Sequence, residues 1–332
     1  METKLALVLG ANGGSGAAIV RALLAHGWRV RALARTPKPD LLPGAEIVKG
    51  DAMRRADVLT AAQGASLIVH AVNPSGYRNW GQVVLPMIDN SIAAAEATGA
   101  RIVLPGTVYN FGPETFPILR ENDPQNPRTR KGKIRVALEA RLQDAAERGV
   151  RSLIVRAGDF FGRHTVNSWF SQGMVKPNQP LRGVVYPGKR NVGHAWAYLP
   201  DFGETIARLV DRESELATFE RFHFRGHYFA RGVEIAERAG AVANGEKGAP
   251  VRGFPWIVVL LLSPFVRLFR EMAEMRYLWT RDVELDNAKL VAFLGEEPHT
   301  PTDIALHEAL SAMGCLREQV AAPVTPRRPA VV

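Results

Sequence analysis

The feature that most constrains this chain is its opening. Lys4-Leu5-Ala6-Leu7-Val8-Leu9 runs straight into Gly10-Ala11-Asn12-Gly13-Gly14-Ser15-Gly16, after which Ala17, Ile19, Val20, Leu23 and Leu24 recur at helical spacing. An apolar strand, a glycine turn and a helix in that order form the unit that receives a dinucleotide. Gly10 permits the tight turn, Gly13 lets the backbone approach a pyrophosphate, and Gly16 lets the helix pack close to the strand. The N–H groups at the helix start, among Asn12, Gly14 and Ser15, then face the phosphates, and the helix dipole favours their charge. The spacing is G-x-x-G-x-x-G rather than the G-x-G-x-x-G of simple dehydrogenases, and an ordinary strand-to-helix turn is the competing reading. A second strand from Trp28 to Leu33 favours the nucleotide.

That second strand ends at Ala34-Arg35-Thr36, about twenty residues after the loop, where an acid would select NAD and a base accommodates a 2′-phosphate. Arg35, with Lys38 close by, predicts that NADP(H) is preferred over NAD(H); a solvated surface arginine is the alternative. The third strand ends at Gly50-Asp51-Ala52, where Asp51 is placed either to bond the adenine amino group or to cap the next helix. Strands are expected near 4–9, 28–34, 45–49, 66–72, 101–105 and 151–156, with helices near 15–26, 54–63, 82–98 and 131–148 between them. Such alternation implies a Rossmann-type, doubly wound parallel sheet of order 3-2-1-4-5-6, an α/β fold covered on both faces. The site then lies beyond the strand ends at 10–16, 72–76, 105–112 and 156–162, which brings in Ala71, Val72, Asn73 and Gly158. Residues 1–160 read as the nucleotide domain, with 190–212 returning to it. Residues 161–322 read as a smaller, mixed substrate lobe and 323–332 as a disordered tail. Helices are expected there near 201–212, 230–241, 256–275 and 301–313.

Composition narrows the class. A hydrophobic content of 46% supports a large core. The single cysteine, Cys315, excludes an intrachain disulfide and fits a reducing, cytoplasmic setting; no secretory h-region precedes the first strand. The net charge of +9 is scattered, without a Lys/Arg block or nucleic-acid motif, so no nucleic-acid partner is expected. The most apolar run, from Trp256 to Leu262, is too short for a transmembrane segment. It reads first as a buried helix, and otherwise as a lid over an apolar pocket or a peripheral membrane face. His223 and His227 have the spacing of a metal pair, but Phe222-His223-Phe224 reads as a strand with a turn at Gly226, and no metal site is expected.

Several motifs now share an order. Gly10/Gly13/Gly16, Gly50-Asp51, Val108-Tyr109-Asn110-Phe111-Gly112, Arg156-Ala157-Gly158-Asp159-Phe160-Phe161-Gly162 and Trp196-Ala197-Tyr198-Leu199-Pro200-Asp201 are followed by Asp286-Asn287-Ala288-Lys289 and Leu294-Gly295. In that order and spacing they resemble the extended or atypical short-chain dehydrogenase/reductases, the NAD(P)-dependent epimerase/dehydratase-like superfamily, over nearly the whole chain. The resemblance implies a proton relay of Tyr and Lys four residues apart, which is absent: none of the six tyrosines has a lysine four residues later. Counting back from Glu139, Lys131 stands at the Tyr position and Arg135 at the Lys position; Pro105 replaces the usual Ser/Thr, with Thr107 two residues on.

Lys131-x-x-Ile134-Arg135 resembles the motif of the isoflavone-reductase-like branch, in which a lysine is the catalytic candidate. Desolvated beside a nicotinamide and next to Arg135, Lys131 would have a lowered pKa and could protonate a substrate oxygen. Contact with the cofactor ribose, or a solvated charge at a helix start, is the other reading. Tyr109 and Asn110 are placed to donate to a developing oxyanion or to wall the nicotinamide pocket, and Thr107 is a substitute hydroxyl. The expected function is an NADPH-dependent reductase acting on a carbonyl or activated double bond of a small, apolar or aromatic substrate. An NADP(H)-binding sensor without turnover and a nucleotide-sugar epimerase or dehydratase are the alternatives. The resemblance also implies homodimer pairing through helices near 82–98 and 131–148.

Overall fold

A computed structural model describes residues 4–73, 80–163, 165 and 168–316. The predicted tail, Tyr77 and positions 74–76 of the expected site therefore lie outside the described residues. The first half runs β1 (Leu5–Leu9), α1 (Gly14–Ala25), β2 (Arg29–Ala34), β3 (Glu46–Lys49), α2 (Arg55–Ala62), β4 (Leu67–His70), α3 (Trp80–Thr98), β5 (Arg101–Gly106), β6 (Ile118–Leu119), α4 (Arg130–Ala146) and β7 (Ser152–Arg156). The second half adds β8 (Asp159–Phe161), β9 (Val184–Tyr186), β10 (His194–Tyr198), α5 (Leu199–Asp211), β11 (Phe219–His223), β12 (His227–Phe229) and α6 (Glu234–Asn244). It closes with β13 (Val251–Gly253), α7 (Trp256–Leu262), α8 (Arg267–Met275), β14 (Glu284–Leu285), α9 (Ala288–Leu294) and α10 (Thr302–Ala312).

Seven strands form one parallel sheet, β11-β7-β5-β4-β1-β2-β3. The expected six-strand order is present and extended at one edge by β11. Every residue of β1 is buried because both faces of the sheet are covered. Alternation divides the strand: Ala6 and Val8 join the core with Ile19, Val20, Phe202 and Ile206 of α1 and α5. Leu5, Leu7 and Leu9 join Val58, Ile88, Leu138 and Leu142 of α2, α3 and α4. Gly203 permits the close approach of α5 to α1, since a Cβ there would lie 2.7 Å from the Ala18 carbonyl oxygen.

The remaining strands make a small mixed sheet, β12-β10-β8, and two-stranded pairs β13-β9 and β14-β6. Phe161, Phe170, Trp196, Tyr198 and Trp279 fill the core beneath them, with α6 and α10. The expected turn after Phe224 is present, Gly226 adopting φ +60°. Cys315 is buried in this core. Two expectations need correction. Residues 256–275 are two helices interrupted after Leu262, and the apolar run is not buried: of α7, only Val259 is. Helix α9 also stands where no helix was expected.

Candidate functional site

A cleft of about 880 Å³ opens along the carboxyl ends of the parallel strands, where the order reverses between β1 and β4. Its floor is the glycine turn. Gly10 has φ +82°, and a Cβ there would lie 2.5 Å from the Ala71 carbonyl oxygen; both facts require glycine. Gly13 donates its N–H to Gly10 O at 2.9 Å and closes the turn. Gly16 does not line the cleft; a Cβ on it would lie 2.4 Å from Gly10 O, so its role is the close packing of α1 on β1. No side chain caps the start of α1 and no acid stands in its first turn, which leaves that helix end open to an anion.

The two ends of the cleft differ. At one end lie Arg35, Thr36 and Lys38 beyond β2, with Asp51, Ala52 and Met53 beyond β3. Asn12 ties the turn to this wall, its amide donating to Thr36 O at 3.0 Å. Asp51 Oδ1 accepts from Met53 N at 3.0 Å, so it orders its own turn, and the residue preceding α2 is Arg54, so Asp51 does not cap that helix. Gly14, Ser15, Ala71, Val72 and Asn73 line the middle. At the far end are Gly106, Thr107, Tyr109, Gly158, Asp159, Phe160, Thr165, Ser168, Trp169 and Leu199. Gly158 is demanded by packing as well, since a Cβ there would lie 2.2 Å from Ala195 O.

The residues expected to do chemistry separate into two groups. Thr107 and Tyr109 line the cleft, whereas Lys131 and Asn110 do not. Lys131 Nζ lies 3.1 Å from Glu271 Oε2 and donates to the Glu271 carbonyl oxygen at 3.0 Å. Burial lowers the Lys131 pKa, with Glu271 opposing that shift. Asn110 is fully buried and its amide nitrogen donates to Gln125 and Glu139, both at 2.9 Å. Glu139 also accepts from Arg156 at 2.9 Å, and Arg156 donates to Thr107 O. This buried network holds the Thr107–Asn110 segment from behind. Gly132 completes the support: a Cβ there would lie 2.3 Å from Tyr109 O, so only glycine lets α4 come this close.

Arg135 does line the cleft, with its guanidinium 5.1 Å from the Trp80 ring centroid. Beside it His70, with Ser91 Oγ at 2.8 Å, is pushed down to about 3 by burial and by Arg135. Asp159 brings a feature that no spacing announced: its Oδ2 lies 2.8 Å from Nε2 of the buried His194, whose ring stacks on Trp279 at 4.1 Å. Thirty-five residues separate the pair, and pairing of β8 with β10 brings it together.

His223 and His227 do not converge on a common site. His223 Nδ1 lies 3.1 Å from Leu119 O. Asp201, His227 and His299 instead bring ligand-type atoms within 4.8 Å of one another, with both Asp201 oxygens accepting from Thr300.

Residues 10–160 match the family model described as NAD(P)H-binding. Over those residues the chain is therefore similar to an NAD(P)H-binding domain. The free helix end, the Gly10 turn and the cleft running from Arg35 to Gly158 fit such a cofactor in this structure. Among solved structures, a UDP-galactose 4-epimerase is 17% identical, covering 93% of this chain and 98% of its own, with a TM-score of 0.67. The Brucella ovis UDP-glucose 4-epimerase in complex with NAD is 14% identical, with 94% and 99% covered and a TM-score of 0.72. The Bacillus cereus UDP-N-acetylglucosamine 4-epimerase is 13% identical, with 95% and 98% covered and a TM-score of 0.70. At these identities the likeness is one of fold, and it extends over nearly the whole chain. Sequence comparison with curated proteins gives no match. Among the described residues no helix is long and apolar enough to cross a membrane.

Proposed function

We propose that this protein is an NADP(H)-dependent reductase of a small, uncharged and largely apolar carbonyl or activated alkene. The observation that carries this reading is the division of charge along the cleft. Arg35 and Lys38 stand at the end where a 2′-phosphate would lie. Among the described residues the opposite end is walled by Phe160, Trp169 and Leu199 with Thr165 and Ser168, beside Asp159 and Tyr109, and Arg135 lines the cleft against Trp80. Such walls suit an apolar body with one polar handle.

In this reading the turn at Gly10–Gly13 and the start of α1 hold the pyrophosphate, and Arg35 holds the 2′-phosphate. When bound in its reduced form the cofactor supplies a hydride to the substrate. Tyr109 donates the proton that the substrate oxygen, or the alkene carbon beside the activating group, then requires, and Thr107, its hydroxyl donating to Asn110 Oδ1 at 3.2 Å, walls the site beside it. Lys131 has a different task, since its ammonium group is engaged by Glu271. The test is NADPH oxidation against a panel of quinones, enones, ketones and aldehydes, with cofactor titrations alongside. Turnover is expected to fall on the order of a hundredfold or more in Tyr109→Phe with the NADPH Kd unchanged. Arg35→Ala is expected to weaken NADPH at least about tenfold while leaving NADH nearly unaffected. Full turnover in Tyr109→Phe, or equal Kd values for the two cofactors in the unaltered protein, would overturn the respective assignment.

A nucleotide-sugar epimerase is favoured by one observation, the near-complete overlap with epimerase folds. It requires turnover of a UDP-sugar without added NADPH. Tight NADPH binding with no turnover on either panel would instead indicate a cofactor sensor.

A further inference from the structure

Ten large apolar side chains are exposed among the described residues, and eight of them fall between Ile257 and Leu268. Three are extreme: Ile257 is 75% exposed, Leu261 69% and Phe265 85%. An exposed apolar cluster of this density marks a surface that meets something less polar than water. Its shape is a protruding tip. Helix α7 is held by Val259, its one buried residue, the chain breaks at Ser263-Pro264, and α8 turns back toward the body.

The charges around the tip are sorted by side. From Val251 to Arg270 the sequence contains three arginines, Arg252, Arg267 and Arg270, and no Asp or Glu. All three arginines are exposed. The first acids beyond them are engaged with α4: Glu271 is buried against Lys131, and Glu274 accepts from the Arg130 backbone N–H. The outer face thus combines apolar tips with cations alone, the pattern of an interfacial element on an anionic surface. Its base is fixed to the fold, since Trp256 Nε1 donates to Pro187 O at 2.6 Å. Trp256 also packs on Trp169 of the cleft wall, ring centroids 5.9 Å apart.

We propose that the α7–α8 tip docks this protein on an anionic lipid bilayer, with Ile257, Leu261 and Phe265 inserted and Arg267 and Arg270 among the headgroups. An anionic bilayer fits because residues 251–270 present exposed apolar side chains and arginines with no acid among them, and it fits better than a second copy because two such faces would oppose their arginines. The docking does not depend on the reductase reading. It would, however, set the substrate end of the cleft beside a reservoir of apolar molecules.

The experiment is flotation of the full-length protein with vesicles of phosphatidylcholine, or of phosphatidylcholine and phosphatidylglycerol in equal parts, at low and high salt. Size-exclusion chromatography with light scattering runs alongside. Binding is expected on the mixed vesicles, weaker on the neutral ones and reduced by salt. Leu261→Glu with Phe265→Glu is expected to weaken it at least about tenfold. Arg267→Gln and Arg270→Gln are each expected to weaken it about fivefold. These side chains are exposed, so the variants should melt as the parent does, which the same samples check by circular dichroism. Absence of flotation with either vesicle overturns the proposal. So does flotation that the Leu261→Glu/Phe265→Glu variant retains. A dimer that this variant splits, without vesicle binding, assigns the face to a second copy.

Discussion

Lys131 is the residue for which sequence and structure suggest opposite experiments, and replacing it with Met separates them. In the structure its side chain is 3% exposed and paired with Glu271, itself 6% exposed, at 3.1 Å. Removing one partner of such a pair strands the other charge, at a cost of about 3–5 kcal/mol. Arg130 Nη2, 3.7 Å from Glu271 Oε1, partly compensates, so the lower figure applies. For 332 residues the unfolding entropy is about 0.7 kcal/mol/K, so Lys131→Met should lower Tm by about 4 °C. The pair itself adds little. Burial holds the Lys131 pKa below its unfolded value of 10.5, so the folded state disfavours the charge. The unfolded chain binds more protons between that lowered value and 10.5, and stability from this group rises with pH across that window. Lys131→Met combined with Glu271→Leu should therefore recover most or all of the loss. The assay is thermal unfolding of parent, single and double variants, with turnover measured on the folded fraction. The reasoning predicts turnover within about threefold of the parent in all of them. A loss of about a hundredfold or more in Lys131→Met with an unchanged Tm would refute it and restore the lysine as the proton donor.

Gly16→Ala places a Cβ 2.4 Å from Gly10 O, which displaces the turn and should raise the cofactor Kd by at least about tenfold; isothermal titration gives the value. Burial is the first cause of low pKa values at His70 and His223, each about 3, and at His227, about 4, reinforced by Arg135, Arg156 and His299 respectively. All three are neutral when folded and take up a proton on unfolding, so their stability contribution is complete above about pH 6.5 and falls as pH drops toward 4. Together they predict a slope of about 4 kcal/mol per pH unit near the middle of that window, measurable by urea unfolding. His26 lies outside it, since Asp211 and Glu204 outweigh its burial and raise its pKa above 6.5. His70→Asn should reduce the slope by about one third, and an unchanged slope would show that the imidazole is solvated.

The parts of this protein legible in its sequence are those in which cause and effect are near neighbours. The Gly10 turn is local: its φ of +82° and the 2.4 Å that a Gly16 Cβ would leave are settled within seven residues. The six strands with their helices are legible because a buried parallel strand must be apolar throughout, and because each helix follows its strand. Strand β11 is different. Phe222-His223-Phe224 reads as a strand, but the place of Phe219–His223 beside Ser152–Arg156 depends on a partner almost seventy residues earlier. The Asp159–His194 pair is hidden for the same reason.

Residues 256–262 mark a deeper limit. Hydropathy reports that Ile257 and Leu261 avoid water; it does not report whether the fold has a cavity for them, and this one does not. Lys131 and Arg135 show the same limit on one helix. A spacing of four puts their side chains on neighbouring turns of α4, and the motif treats them as one unit. Yet Arg135 reaches the cleft against Trp80, while Lys131 meets Glu271, 140 residues further along the chain. A motif constrains the face from which a side chain leaves a helix. What it meets there is decided by whatever packs against that face, and for Lys131 that is the carboxylate supplied by α8. In the proposed reading the chemistry of the cleft then passes to the residues that follow β5 at its rim, Thr107 and Tyr109, and the buried Glu139–Arg156 network matters because it holds them there.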